Sequence, residues 1–289
     1  MSAPSSCTTA CILAPVAPSC SLLPAGPTDI LVLCYHAVSE GWPAVTAVTA
    51  EEIRRQVGTL VARGYVGMTF TDALTAPAAP RVLAVTFDDA HRSVLHAAAP
   101  ILDELGVPGT VFAPTDWIGT GRPTSWAGFE RWVGTEHEHE LVCLDWDELR
   151  GLVDRGWEVG SHTMSHPRLT RLGDQALSVE LRGSRERLET ELGRPCSSIA
   201  YPYSDVDRRV VRHARAAGYA LAATMPIRHH YALPLQWPRV GVSRGESRLR
   251  FGVLTARATR HAQLGPGIGP AIERARELRR RLRDGRRAA

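Results

Sequence analysis

Residues 81–89 read RVLAVTFDD, an apolar run that ends in two adjacent carboxylates, Asp88 and Asp89. Such a run, rich in β-branched and aromatic residues and seven residues long, is typical of a buried strand. The paired acids come where this strand would end. The segment therefore predicts a strand over 81–87 with charged groups at its carboxyl end.

Similar apolar runs recur along the chain, and helical patterns separate most of them. Strands are predicted at 30–35, 109–113, 157–161, 198–201, 219–224 and 238–242, and helices at 49–64, 93–106, 145–156, 174–193 and 205–218. Thr49 with Glu52, and Asp145 with Glu148, have the spacing of capping boxes. Strands alternating with helices predict an α/β protein with a parallel sheet. We expect a single-domain, distorted (β/α) barrel of seven to eight units over residues 28–265.

Polar side chains follow four of these strands. His36, the pair Asp88–Asp89, the pair His162 and His166, and the run Tyr201-Pro202-Tyr203 each lie where a strand ends. The carboxyl ends of barrel strands meet at one rim, so these groups should lie together. One carboxylate and two imidazoles form a three-ligand metal set that leaves a position for water, and a second carboxylate can accept that water's proton. The pattern predicts metal-dependent hydrolysis of an amide or ester.

These residues also carry a resemblance to a known family. Thr86-Phe87-Asp88-Asp89 resembles the first motif of the polysaccharide deacetylases, the NodB-homology or carbohydrate esterase 4 family. Ser161-His162-Thr163-Met164-Ser165-His166-Pro167 is similar to their second motif, and Ile199-Ala200-Tyr201-Pro202-Tyr203-Ser204 to their third motif in its A-Y-P-Y variant. Leu33-Cys34-Tyr35-His36-Ala37-Val38 is similar to their opening strand.

The resemblance implies a distorted (β/α) barrel that removes acetyl groups from N-acetylated sugars with the help of a metal. It implies that Asp88 is the general base and that Asp89, His162 and His166 are the metal ligands. The backbone N–H of Tyr203 would help to form the oxyanion hole. The expected cofactor is one divalent metal, with zinc first and cobalt, nickel or iron as alternatives.

Two positions depart from the family pattern. Ala200 stands where the common third motif has an arginine that orients the catalytic aspartate, and we hypothesise that Arg239 on a late strand replaces that charge. No clear late-strand histidine supplies a general acid, and His229 and His230 have unconvincing spacing. The identity of the acid stays open.

The weaker candidates lie around this set. His36 has a substrate or metal-supporting role, or is a core imidazole bonded to backbone. Tyr201, Pro202, Trp126 and Arg239 complete the candidate substrate-binding residues.

An insertion at residues 114–144 separates the third strand from the next helix and carries Trp117, Trp126 and Trp132. These rings either stack on sugar or fasten the loop to the barrel. The run EHEHE, with His137 and His139, is expected to be a solvated loop rather than a second metal site. His91, just after the aspartate pair, is expected at an exposed helix start.

Composition restricts the function classes. All 34 basic residues are arginine, which excludes a Schiff-base or P-loop lysine. Residues 271–289 carry a net charge of +5, whereas the whole chain carries +4, which leaves −1 for residues 1–270. The body of the chain is therefore near neutral, and no nucleic-acid partner is expected. The six cysteines form no C-x-x-C pair and are expected to be free thiols.

The chain ends are expected to lie outside the barrel. Residues 1–27, rich in Ser, Ala and Pro, are predicted to be a disordered leader, and residues 266–289 an Arg-rich helix or tail. Prolines interrupt the leader's apolar run and no basic residue precedes Arg54, so a cytoplasmic location is expected, with secretion as the alternative if the leader is a degenerate signal. No transmembrane segment is expected. The oligomeric state is left open.

The sequence thus predicts a metal-dependent hydrolase acting on an N-acetylated sugar in a glycoside, oligosaccharide or sugar-containing metabolite. Two alternatives stay open. One is an amidohydrolase acting on a non-sugar C–N bond with the same barrel, because fold does not settle substrate. The other is a catalytically weak carbohydrate-binding protein.

Overall fold

The computed structural model describes residues 29–76, 81–226, 232–257 and 259–260. The predicted leader and the predicted Arg-rich tail lie outside the described residues, as do His229 and His230. The strands are β1 (Asp29–Tyr35), β2 (Ala37–Val38), β3 (Ala47–Val48), β4 (Val66–Met68), β5 (Arg81–Phe87), β6 (Gly109–Ala113), β7 (Glu158–Ser161), β8 (Ser198–Ala200), β9 (Leu221–Thr224), β10 (Trp237–Pro238) and β11 (Val240–Gly241). The α-helices are α1 (Ala50–Ala62), α2 (Phe70–Thr75), α3 (Ala99–Glu104), α4 (Trp146–Asp154), α5 (Asp174–Leu192), α6 (Arg208–Ala216) and α7 (Arg248–Thr255).

The main sheet is parallel throughout and almost closes on itself. Its strand order is β10-β9-β8-β7-β6-β5-β1-β11, and β4 pairs with the first half of β5. β10 pairs with β9 and β11 pairs with β1, and only Arg239 separates β10 from β11. The short stretch 237–241 therefore joins both edges of the sheet. This confirms the predicted distorted (β/α) barrel.

Side-chain alternation along β1 divides the core into two layers. Leu31 and Leu33 pack in the layer between the sheet and the helices, whereas Val32 packs inside the barrel with Phe112 and Leu221. Cys34 has the same parity as Val32, and His36 follows two residues later. Because side chains of a strand alternate between faces, these two groups come toward the carboxyl end of the barrel interior.

The predicted elements agree with the structure where their patterns are long. The bounds of β5 and β6 are as predicted, and capping boxes start α1 at Thr49 and α4 at Asp145. The predicted helix 93–106 instead begins as a π-helix, Val94–Ala98, before α3. Pro100 has no N–H to donate to the carbonyl four residues earlier, which gives a reason for this irregular turn. None of the described helices is long and apolar enough to cross a membrane.

Candidate metal centre

The two adjacent aspartates after β5 face different partners. The N–H of Asp88 donates to the carbonyl of Tyr35 at the end of β1, at 3.0 Å. The backbone then turns through left-handed conformations at Asp89 (φ 70°) and Ala90 (φ 51°). This turn directs the Asp88 carboxylate toward Arg239 and the Asp89 carboxylate toward His162.

Asp89, His162 and His166 form a buried group of potential metal ligands. Oδ1 of Asp89 lies 3.5 Å from Nε2 of His162 and 3.4 Å from Nε2 of His166. Within the described part of the chain, this oxygen has no hydrogen-bond partner. Ligand atoms held 2.0–2.2 Å from a tetrahedral zinc lie ~3.3–3.6 Å apart. The spacing and the unsatisfied oxygen thus fit a metal held by these three side chains.

The surroundings of the two imidazoles orient them for this purpose. Nδ1 of His162 lies 2.8 Å from the carbonyl oxygen of Ala200, which suits a donated Nδ1–H and leaves the Nε2 lone pair facing Asp89. The ring of His166 stacks on Trp126, with centroids 4.1 Å apart. Burial opposes the ionisation of Asp89, but His162, His91 and His166 together hold the pKa of Asp89 well below its ordinary value.

Arg239 binds Asp88 through two parallel hydrogen bonds. Nη1 and Nη2 of Arg239 each lie 2.7 Å from one oxygen of Asp88, and Nη1 also donates to Oγ1 of Thr86 at 3.0 Å. The arginine side chain is 1% exposed. Burial opposes ionisation of Asp88, yet the arginine lowers the pKa of Asp88 to about 2. The family pattern has an arginine at the position of Ala200 to orient the aspartate. In this chain, the guanidinium of Arg239 lies against that aspartate, Asp88.

The Tyr-Pro-Tyr run after β8 forms one wall of the site. Tyr203 lines the cavity in a left-handed conformation (φ 57°), and its ring contacts His166 with centroids 4.7 Å apart. Tyr201 lines the cavity as well, and its hydroxyl donates to the carbonyl of Leu235 at 3.1 Å. Pro202 is buried in the turn and is not among the residues that line the cavity.

The metal-binding group opens into a cavity of about 440 Å³. Trp126, Phe129 and Trp132 of the insertion line one side, and residues 44–46 line another. Trp126 stacks on His166 and also packs against Trp117, with centroids 5.3 Å apart, so it both fastens the insertion and lines the cavity. The insertion is therefore part of the site.

His36 also lines this cavity, and its buried Nδ1 has no hydrogen-bond partner in the part of the chain that the structure describes. Burial lowers the pKa of His36. Of the three histidines that line the cavity, His36 is the one outside the proposed ligand set. His137 and His139 belong to no group of three potential ligands among the described residues.

The sequence interpretation was wrong for His91 and passed over Cys34. His91 is fully buried, with edge-on ring contacts to Trp42 and Phe129. No local pattern could have shown this, because both covering rings come from distant segments. Cys34 lies 3.5 Å from Oδ2 of Asp88, and the alternation of β1 was the signal that could have placed it there.

The model of a family described as "Polysaccharide deacetylase" matches residues 75–222. A Bacillus subtilis (strain 168) protein named "Putative polysaccharide deacetylase YxkH" is 25% identical over 203 residues, which cover 68% of this chain and 65% of that protein. The chain thus spans just under two thirds of this relative.

Solved structures share the fold. A polysaccharide deacetylase from Bacillus cereus superposes with a TM-score of 0.63 at 23% identity, covering 79% of this chain and 69% of that one. The Streptococcus pyogenes deacetylase PplD in complex with acetate gives 0.65 at 20% identity, covering 80% and 100%. The structure of IcaB from Ammonifex degensii gives 0.62 at 21% identity, covering 81% and 100%.

Proposed function

Because this chain belongs to the polysaccharide deacetylase family, we propose that it is a metal-dependent hydrolase that removes the acetyl group from an N-acetylated sugar. One observation carries the proposal. Three potential ligands, Asp89, His162 and His166, share one cavity with a second carboxylate, Asp88, that is held separately by an arginine. Metal-dependent amide hydrolysis uses this combination of a ligand set and a separate base.

Asp89, His162 and His166 would hold the metal, which supplies a Lewis acid that polarises the acetyl carbonyl and makes water more acidic. Asp88 accepts the proton of the water that attacks the acetyl carbon. Because its pKa is about 2, Asp88 is ionised at every physiological pH. Arg239 fixes the plane of this carboxylate through its two hydrogen bonds.

The N–H of Tyr203 stabilises the oxyanion that forms on the acetyl oxygen. The ring of Tyr203 packs against the ring of His166, so the backbone of Tyr203 is held close to the ligand set. The left-handed conformation at Tyr203 is uncommon for a residue with a side chain. Strained backbone of this kind clusters at catalytic sites, which supports the assignment.

His36 passes a proton to the departing amine. Burial lowers the pKa of His36, so its ring is neutral before the reaction and takes up the proton that Asp88 has accepted from water. Its Nδ1 is buried with no hydrogen-bond partner among the described residues, and it lies among the cavity-lining residues, which supports this role. His36 follows β1 and Asp88 follows the adjacent β5, and Tyr35 and Phe87 are partners in that register. Base and acid therefore come from neighbouring strands. The aromatic side chains Trp126, Phe129 and Trp132 supply flat apolar surfaces for the sugar ring.

The first experiment measures acetate release from a panel of N-acetylated sugars by metal-stripped protein with and without added zinc. Release that depends on zinc and falls by about 10²–10⁴-fold in Asp88→Asn supports the proposal. A protein that binds one metal but releases acetate from no sugar contradicts it, and directs attention to non-sugar amides or to carbohydrate binding without catalysis.

A second experiment separates the acid from the base. An acetyl ester of a phenol has a leaving group that needs no proton, whereas an N-acetyl amide needs one. His36→Asn should therefore lose amide hydrolysis and keep ester hydrolysis, while Asp88→Asn loses both. Equal loss of both reactions in His36→Asn would remove His36 from the role of proton donor.

A further inference from the structure

A second group of potential metal ligands lies beside the first one. It consists of Cys34, His36 and Asp88, whose ligand atoms all lie within 4.8 Å of one another. Cys34 and His36 share a parity at the end of β1, and Asp88 follows β5, which pairs with β1 in parallel. Strand geometry therefore brings a thiol, an imidazole and a carboxylate to the same end of the barrel.

The sulfur–oxygen distance agrees with a shared metal. Sγ of Cys34 lies 3.5 Å from Oδ2 of Asp88. A tetrahedral zinc with sulfur at about 2.3 Å and oxygen at about 2.0–2.2 Å separates these two ligand atoms by ~3.5 Å. Nδ1 of His36 is buried and has no hydrogen-bond partner among residues 29–76, 81–226, 232–257 and 259–260, so no described group competes with a metal for this nitrogen.

We propose that Cys34, His36 and Asp88 form a second, inhibitory metal site that takes zinc or cobalt. A donor set of sulfur, nitrogen and oxygen favours such metals over magnesium or calcium. Binding converts the Cys34 thiol to a thiolate and releases its proton to solvent. Burial raises the pKa of Cys34 well above its ordinary value, so this thiol ionises on metal binding and not before.

Arg239 makes the second site the weaker of the two. Its guanidinium already occupies both oxygens of Asp88 and repels a cation placed against Oδ2. No described cation competes in this way at the first group, since Oδ1 of Asp89 has no hydrogen-bond partner among the described residues. The two sites therefore fill in sequence, with the Asp89 site first. The inhibitory role rests on the function proposed above. The second metal would occupy Asp88, the proposed base, and His36, the proposed proton donor.

The binding test uses cobalt as the probe on the metal-stripped full chain. Thiolate bound to Co²⁺ gives a near-ultraviolet charge-transfer absorption that imidazole and carboxylate ligands do not give. We expect no such band with the first equivalent of cobalt and a band with the second. In Asp89→Asn, whose first site is disabled, the band should appear with the first equivalent.

Two cysteine variants identify the thiolate. Cys34→Ala should abolish the band, and Cys34→Ser serves as the second variant if alanine disturbs folding. Cys143→Ala is the matched control, because Cys143 is also buried and its Sγ lies 3.2 Å from the carbonyl oxygen of Asp89. This control should keep the band. A missing band at every cobalt ratio, or a band that survives both Cys34 substitutions, overturns the site.

The activity test uses excess zinc. Wild-type acetate release should fall as zinc exceeds one equivalent, and Cys34→Ala should need more than about tenfold more zinc for the same inhibition, since even the loss of an outer partner costs a metal site ~10–100-fold in affinity. Equal zinc sensitivity in both proteins overturns the inhibitory role. If no sugar is deacetylated, the cobalt band still decides whether the site exists, so the two proposals fail separately.

Discussion

The barrel holds a half-buried carboxylate at its amino end and buried carboxylates at its carboxyl end, and their hydrogen bonding differs. At the amino end, Glu158 of β7 accepts hydrogen bonds on both oxygens from Thr71, Thr110 and Ser198, at 2.5–3.2 Å. At the carboxyl end, Oδ1 of Asp89 and both ring nitrogens of the nearby His91 have no hydrogen-bond partner among the described residues. Neutral donors thus satisfy both oxygens of Glu158, whereas no described residue donates to one oxygen of Asp89.

Backbone conformation shows the same difference. The described non-glycine residues with positive φ are Asp89, Ala90, Thr163, His166, Tyr203 and Ser204. All of them lie in the three turns that follow β5, β7 and β8 at the carboxyl end. Left-handed backbone costs free energy at residues with a Cβ, so the fold concentrates this cost where ligands would bind. Hydrogen-bonded polar groups at the amino end stabilise the barrel. Polar groups without partners among the described residues, at the carboxyl end, are available to bind a ligand.

The strongest test of this comparison is Asp89→Asn. Asparagine tolerates the left-handed conformation at this position and keeps the side-chain shape. We expect metal binding by the group Asp89, His162 and His166 to be lost, so that any remaining metal is held by the Cys34 group. Acetate release should fall by at least about 10³-fold, because a Lewis acid contributes several kcal/mol. The free energy of unfolding of the metal-free protein should change by less than about 1 kcal/mol. Elemental analysis and urea unfolding measure the two effects, and a large loss of metal-free stability would break the comparison.

Arg239→Gln should weaken both activity and stability. It leaves Asp88 as an unpaired buried charge, and we expect a loss of about 3–5 kcal/mol in the free energy of unfolding. The stabilisation from the pair is present above the ordinary pKa of an aspartate, ~4, and is lost as pH falls through about 2.

The same variant should alter the pH dependence of catalysis. Without the guanidinium the pKa of Asp88 rises, so the acid limb of kcat/KM moves to higher pH. Arg239→Lys is the control, since it retains the charge but not the two parallel hydrogen bonds. A pH profile in Arg239→Gln that matches the wild-type profile would show that the arginine does not set the ionisation of the base.

Glu158→Gln tests the opposite end. The amide keeps the shape of the side chain but loses the charge that strengthens four hydrogen bonds, so we expect a stability loss of about 1–3 kcal/mol. The kcat for acetate release should stay within about twofold of wild type, since substitutions away from a site act on stability. Denaturant unfolding and steady-state kinetics on the same samples decide this, and a lower kcat at unchanged stability would contradict it.

The smallest expected effect is a gain. Ala90 is fully buried with φ at 51°, so Ala90→Gly removes the steric cost of its Cβ. We expect stabilisation of up to about 1 kcal/mol, measured as a rise of roughly 1–3 °C in Tm. Ala98→Gly is the matched control, because Ala98 is equally buried but right-handed, and it should lower Tm instead. The comparison is weakened if both glycines lower Tm.

Sequence predicted the parts of the fold whose patterns are long and local. The apolar runs gave β5 and β6, and strand ends correctly placed Asp88, Asp89, His162 and His166 in one cavity. The elements β2, β3, β4, α2 and α7 were not predicted, because two to eight residues show too little periodicity. The late strand at 238–242 proved to be two short strands, with the joining residue turned toward the base.

The burial of His91 and the grouping of Cys34, His36 and Asp88 could be seen only in the three-dimensional structure. Trp42 and Phe129, which cover His91, come from separate loops. Cys34 and Asp88 are 54 residues apart in sequence and meet through strand pairing. A single sequence records which residues are present but not which distant loop covers them, so burial in such loops cannot be predicted from local pattern.

The position of Arg239 at the closure of the sheet has a consequence for how the protein matures. Asp88 and its arginine are 151 residues apart, and the arginine arrives on the stretch that joins β9 to β1. Pairings of such long range form late, because loop closure costs entropy before any contact repays it. During synthesis the carboxylate is made long before its counter-ion leaves the ribosome. A partly folded chain therefore has no correctly poised base, and catalytic competence appears in the same step that closes the barrel.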